Sequence, residues 1–168
     1  MSERSVTMRG NRFSLVGEEL RIGDKAPDFR LLDHSLNTKV LDDFGDKIKL
    51  ISAVPSLDTG VCDEQTRRFN EAVAHIPEAI VITVSVDLPF NQSRWCGSSG
   101  FDQAITLSDH RDVSFGKAYG VLIEELRLLC RAVFVLNKSN EIVYVQYVKE
   151  VSDHPDYDLA LDAVRSSL

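Results

Sequence analysis

Two kinds of hydrophobic pattern alternate along the chain. Residues 47–54 (KIKLISAV) and 79–87 (AIVITVSVD) are short runs in which apolar and β-branched residues fall on both faces. Such runs predict strands covered on both sides. Between them, Val61, Gln65, Phe69, Ala72, Val73 and Ile76 recur near helical spacing, which predicts a helix from about Gly60 to about His75. Asp58 or Thr59 can serve as its N-cap, and Pro77 ends it. Residues 88–101 (LPFNQSRWCGSSGF) predict a short helix that breaks at Gly97. A short strand over 104–109 and a helix over 113–121 follow. Residues 128–137 and 141–148 predict two strands joined by the tight turn Lys138-Ser139-Asn140. The last helix follows Pro155, with Leu159, Leu161, Ala163 and Val164 on its inner side. At the other end, residues 6–16 predict a hairpin turning at Gly10-Asn11. Residues 23–33 then lead in as an extended segment marked by Pro27.

Strands that alternate with helices imply a sheet covered by helices, an α/β fold. A closing pair of strands after two βα units is the pattern of a thioredoxin-like core with a mixed sheet. No repeat, low-complexity stretch or long linker interrupts it. The expectation is one domain over 1–168, with residues 1–20 as an N-terminal hairpin extension.

Composition narrows the partners. The net charge of −7, with no Lys/Arg run longer than two, argues against nucleic acid or an anionic membrane surface. No apolar stretch approaches the ~18 residues of a membrane span. The first residues lack the apolar core of a signal peptide, so a cytoplasmic protein is expected. Three cysteines, an odd number and without a CxxC, do not make a disulfide framework.

The chemistry concentrates at PSLDTGVC, residues 55–62. Cys62 falls in the first turn of the first predicted helix, where free N–H groups and the helix dipole favour a thiolate. Thr59 can bond the sulfur or its substrate, and Pro55 can shield it from water. Asp63 and Glu64 oppose a thiolate, so a local cation is needed. Arg131 is the candidate. Strand alternation places it with Leu129, Val133 and Val135 on one face, opposite Leu128, Cys130, Ala132 and Phe134. A guanidinium in an apolar strand needs a partner, either a carboxylate or the thiolate. Cys96 lies beside Gly97 in a segment that is easily remodelled. Cys130 sits in an apolar strand as core packing. His34, His75, His110 and His154 show no metal-ligand spacing and read as surface or capping residues. Glycine-rich phosphate loops are absent.

The string P-x-x-x-T-x-x-C, here Pro55, Thr59 and Cys62, resembles the peroxiredoxin active-site motif. PSLDTGVCDEQTRRFNE, SVDLPFNQSRWCG and CRAVFVLN resemble the bacterial thiol peroxidases, the atypical two-cysteine peroxiredoxins, across nearly the whole chain. The resemblance implies a thioredoxin-like fold. It implies that Cys62 is the peroxidatic cysteine and Cys96 the resolving one, joined in an intrachain disulfide. Thr59 and Arg131 would bind the peroxide, and Pro55 would shield the pocket. The implied substrates are hydrogen peroxide and organic hydroperoxides, the reductant thioredoxin, the assembly a homodimer, and the cofactor none. Two other readings use the same thiols: a protein thiol–disulfide oxidoreductase and a non-enzymatic redox sensor. A disulfide needs Cα atoms within about 7 Å. The two thiols are expected to lie beyond that range in the reduced fold and to meet only after local unwinding.

Overall fold

A computed structural model describes residues 3–168. Its larger sheet has seven strands. Three parallel strands form its middle: β5 (Ile48–Ala53), β6 (Ala79–Ser85) and β7 (Ile105–Ser108). Antiparallel β10 (Ala132–Leu136) and β11 (Ile142–Tyr147) extend it beyond β5. The short pair β3 (Leu31–Leu32) and β4 (Thr38–Lys39) extends it beyond β7. The order is β11-β10-β5-β6-β7-β3-β4. This is the mixed sheet that the pattern predicts.

Helix α1 (Gly60–Val73) and helix α4 (Tyr157–Ser166) cover one face. Phe69, Val73, Tyr157, Ala160 and Val164 pack there on Ile48, Leu50, Val81, Val133 and Val135. Helix α2 (Pro89–Ser99) lies beside α1, over β7. The opposite face is closed by helix α3 (Ser114–Ala118) and a four-stranded sheet, β1-β2-β8-β9. Its strands are β1 (Ser5–Met8), β2 (Asn11–Val16), β8 (Leu122–Ile123) and β9 (Leu128–Leu129). Ile51, Ala53, Ile82, Val84, Ala132 and Phe134 meet Phe29, Phe115, Tyr119 and Leu122 in this second core layer.

Local chemistry moves four of the predicted boundaries. The hairpin turns at Arg9-Gly10, one residue early, with both φ values positive (52° and 83°) and Met8 paired with Asn11. Both central residues of a type I′ turn need positive φ, and glycine supplies the second at no steric cost. Helix α2 passes through Gly97 and stops at Gly100, whose φ of 81° makes the left-handed cap. The single strand predicted over 128–137 is two strands in different sheets, β9 and β10. Leu129 therefore packs with Cys130 and Ala132, not with Val133 and Val135. On α4, Leu159 faces outward, and Tyr157, Ala160 and Val164 are the buried residues.

Candidate active site

Strand β5 delivers the chain to the site. Val54 N donates to Val84 O at 3.0 Å and prolongs the β5–β6 pairing by one step. The loop then crosses the sheet end through buried Pro55. Asp87, just past β6, fixes it by accepting Ser56 Oγ at 2.7 Å and Leu57 N at 2.8 Å. Helix α1 starts at once, capped by Thr59, whose hydroxyl accepts Cys62 N at 3.4 Å. The same hydroxyl lies 3.4 Å from Ser56 O as its donor. Thr59, expected to bond the sulfur or its substrate, thus caps the helix with an exposed side chain at the rim.

Cys62 is fully buried and Arg131 is 2% exposed. The guanidinium directs three donors: Nη2 to Cys62 Sγ at 3.3 Å, Nη1 to Gln65 Oε1 at 3.0 Å, and Nε to Val151 O at 2.8 Å. Gln65 is braced in turn, its Nε2 donating to Ser52 Oγ at 2.6 Å. Among the described residues no carboxylate lies within 4.0 Å of Arg131. The thiol is therefore the contact able to carry the compensating negative charge. The carboxylates that were expected to oppose it are engaged elsewhere. Asp63 pairs with Arg67 at 2.9 Å and accepts Trp95 Nε1 at 2.7 Å, and Glu64 faces His154 at 3.6 Å.

Cys96 lies on α2, 3% exposed, in one apolar cluster with Val54, Leu57, Cys62 and Trp95. Burial pushes its thiol above the ordinary range; a contact with Thr106 Oγ1 at 3.5 Å works against this, and Asp102 adds to it. The second half of α2 is clamped to α1. Trp95 stacks on Phe101 at 6.1 Å, Arg67 lies over both rings, and Arg67 Nη1 donates to Ser99 O at 3.3 Å. All three cysteines are free thiols. Arg131, which holds Cys62, leads into β10, and Thr106, which holds Cys96, is in β7. These strands are three spacings apart, about 14 Å. Cys130 is on the other face of the sheet, fully buried, and burial pushes its thiol up to about 12.

Gln65, Asp87, Thr106 and His34 are polar residues of this region that the pattern did not single out as chemistry. Gln65 could have been found, since it stands three positions after Cys62 on one helix face. His34 is half-buried and contacts Thr106. Among the described residues no group of three His, Cys, Asp or Glu could hold a metal ion. A cleft of about 770 Å³ lies beside the C-terminal end of α1 and touches none of Pro55, Thr59, Cys62, Cys96 or Arg131. The chemistry here is that of a buried thiol beside a fixed cation, not of a ligand cavity.

Known proteins resemble this chain over most of its length. Residues 21–161 match the Redoxin family. The chain is 58% identical over 98% of its length to the thiol peroxidase of Halalkalibacterium halodurans, of which 99% is covered. It is 52% identical to the thiol peroxidase of Bacillus subtilis, over 96% of both chains. Among solved structures, a peroxiredoxin-like protein from Aquifex aeolicus superposes with a TM-score of 0.91, at 39% identity and 98% coverage of each chain. The thiol peroxidase from Chromobacterium violaceum, 24% identical, shares the fold with a TM-score of 0.89 over 98% of this chain and 97% of its own.

Proposed function

Because the chain belongs to the redoxin family and is a thiol-dependent peroxidase, we propose that Cys62 is the thiol that attacks the peroxide and Cys96 the thiol that resolves it. The observation that carries the reading is the Arg131 guanidinium, buried, 3.3 Å from Cys62 Sγ and without a carboxylate partner among the described residues. The Cys62 thiolate attacks one peroxide oxygen, the O–O bond breaks, and its electron pair leaves on the distal oxygen. Donors fixed at that oxygen lower the barrier. Arg131 supplies one. Thr59 supplies another once peroxide replaces its contact with Ser56 O, and Pro55 walls the site against water. The product is a Cys62 sulfenic acid and an alcohol or water. Cys96 condenses with the sulfenic acid, releasing water and leaving an intrachain disulfide. Thioredoxin reduces that disulfide by thiol exchange. Leu88 and Phe90 are 52% and 67% exposed beside Asp87 and the Cys62 loop, and they suit the docking of thioredoxin or of the second copy of a homodimer. No helix among the described residues is long and apolar enough to cross a membrane. Free thiols of this kind fit the reducing cytoplasm.

The test is peptide mass spectrometry after one equivalent of hydrogen peroxide without reductant. The expected product is a single chain linked between Cys62 and Cys96. Cys62→Ser should abolish turnover. Cys96→Ser should still form one sulfenic acid per chain but stop there, without recycling by thioredoxin. Full thioredoxin-coupled activity in Cys96→Ser would overturn its assignment.

A further inference from the structure

Cys96 faces a difficulty that Cys62 does not. It has to attack as a thiolate, yet it sits in an apolar cluster with no cation in contact. Its sulfur has one polar contact, Thr106 Oγ1 at 3.5 Å. That hydroxyl has a second contact, His34 Nε2 at 2.5 Å. Thr106 is 2% exposed, and His34 lies in the turn between β3 and β4. The imidazole borders a small pocket of about 280 Å³, lined also by Asp33, Lys39, Phe44 and Thr106. Buried sulfur, hydroxyl and imidazole thus form a line that ends in an open pocket. Thr106 also belongs to a row of hydroxyls. Ser52, Thr83 and Thr106 are register neighbours on β5, β6 and β7, on the face beneath α1 and α2. Ser52 serves the Gln65–Arg131 pair at the Cys62 end, and Thr106 serves Cys96 at the other.

We propose that Thr106 and His34 form a proton relay that converts Cys96 to the thiolate that attacks the Cys62 sulfenic acid. The proposal rests on Cys96 being the resolving thiol. In the resting state the thiol donates to Thr106 Oγ1 and the Thr106 hydroxyl donates to neutral His34 Nε2. Both protons then shift along the line. His34 Nε2–H now donates to Thr106 Oγ1, and the Thr106 hydroxyl donates to the sulfur. One proton has moved, in net, from Sγ to Nε2. The thiolate is unstable in its apolar setting, which favours release of α2 toward Cys62. On attack the S–S bond forms and the S–O bond of the sulfenic acid breaks. The Cys62 sulfur is reduced by one electron equivalent and the Cys96 sulfur oxidised by one. The departing hydroxide takes a proton from solvent, and His34 returns its own to the pocket water. Burial lowers the His34 pKa and Asp33 opposes this, and the net lowering favours the neutral imidazole, which can accept. The other charges facing the line are Lys39, 3.9 Å from Asp33, and Asp102 near Cys96.

A mere latch on α2 has the opposite sign. If Thr106 only held Cys96 in place, removing its hydroxyl would free the thiol and speed disulfide formation. The measurement is the decay of the Cys62 sulfenic acid, trapped with dimedone at intervals after one equivalent of hydrogen peroxide, from pH 5 to pH 9. Thr106→Val and His34→Gln should each slow the decay at pH 7 by about 100-fold, the low end of general-base contributions. Thr106→Ser should restore it. In the wild type the decay should slow as pH falls and His34 is protonated, and His34→Gln should lose that acidic limb. Unchanged or faster decay in Thr106→Val and His34→Gln overturns the relay. Peptide mapping separates this from failure of the parent reading: if the wild type never links Cys62 to Cys96, the resolving assignment falls and the relay with it. If the link forms at equal rates in wild type and both variants, only the relay falls.

Discussion

Arg131 is a charge that the fold cannot hydrate, and everything around it follows from that. Its three contacts are a backbone carbonyl, an amide and a thiol, and two of these are neutral acceptors at any pH. Arg131→Met keeps an apolar stem of similar length and removes the cation. Alkylation of Cys62 by iodoacetamide at pH 7 should then slow at least about tenfold, because the thiolate is the reactive form and has lost its counter-ion. Stability should fall by about 1–3 kcal/mol, since Gln65 Oε1 and Val151 O lose a buried donor. If Arg131 only braced the fold, the variant would lose that stability while Cys62 alkylated at the wild-type rate. The sequence exposes this residue well, because a lone arginine in CRAVFVLN asks for a partner. It cannot name the partner, which lies 69 positions away on another element. His34 shows the reverse. Nothing in its own surroundings marks it, since its meaning depends on Thr106, 72 positions on.

At the scale of elements, α2 carries Cys96, and its unwinding would free that thiol to reach Cys62. It is held by the Arg67 clamp and ended by Gly100, but it carries Gly97 inside its last turns. A glycine there weakens the helix by about 0.5–1 kcal/mol relative to alanine. A Cβ at Gly97 would meet nothing within 4 Å, so alanine fits without strain. Gly97→Ala should therefore slow amide exchange over residues 95–100. It should also slow formation of the Cys62–Cys96 disulfide about two- to fivefold, the rate equivalent of that energy. Faster or unchanged disulfide formation, with exchange demonstrably slowed, would mean that α2 need not unwind. The expected break at Gly97 was half legible. Glycine correctly marks a weak point, but the clamp from α1 is a tertiary feature, and with the local left-handed cap at Gly100 it carries the helix past that point. The split of 128–137 into two strands was illegible for a related reason: a continuous apolar run looks the same whether it serves one sheet or two.

For the whole molecule the open question is whether the N-terminal hairpin is an appendage or part of the core. Pattern reading treats residues 1–20 as an extension, because a short amphipathic hairpin gives no sign of what covers it. The packing argues otherwise. Strand β2 pairs with β8, β8 with β9, and the next residues are Cys130 and Arg131. The seam is tightest at two glycines. A Cβ on Gly17 would strike Lys117 O, and one on Gly120 would strike Glu18 O and the Arg4 guanidinium. Both have positive φ, 93° and 69°. Arg4 stitches the same place by donating to Gly17 O at 3.1 Å and Gly120 O at 2.9 Å, with its guanidinium over the Tyr147 ring. Gly120→Ala should then cost at least about 1–3 kcal/mol for the left-handed backbone, with the clash added. The loss should appear in the unfolding of the entire chain. Urea titrations followed by far-ultraviolet circular dichroism and by Trp95 fluorescence should shift together to lower urea. Trp95 belongs to the cluster between α1 and α2, away from the hairpin, so it reports the core and not the seam. A variant in which circular dichroism shows an early partial transition while Trp95 unfolds at the wild-type midpoint would identify the hairpin as a detachable extension. Coincident shifts would tie the seam to the same cooperative unit that holds Arg131 against Cys62.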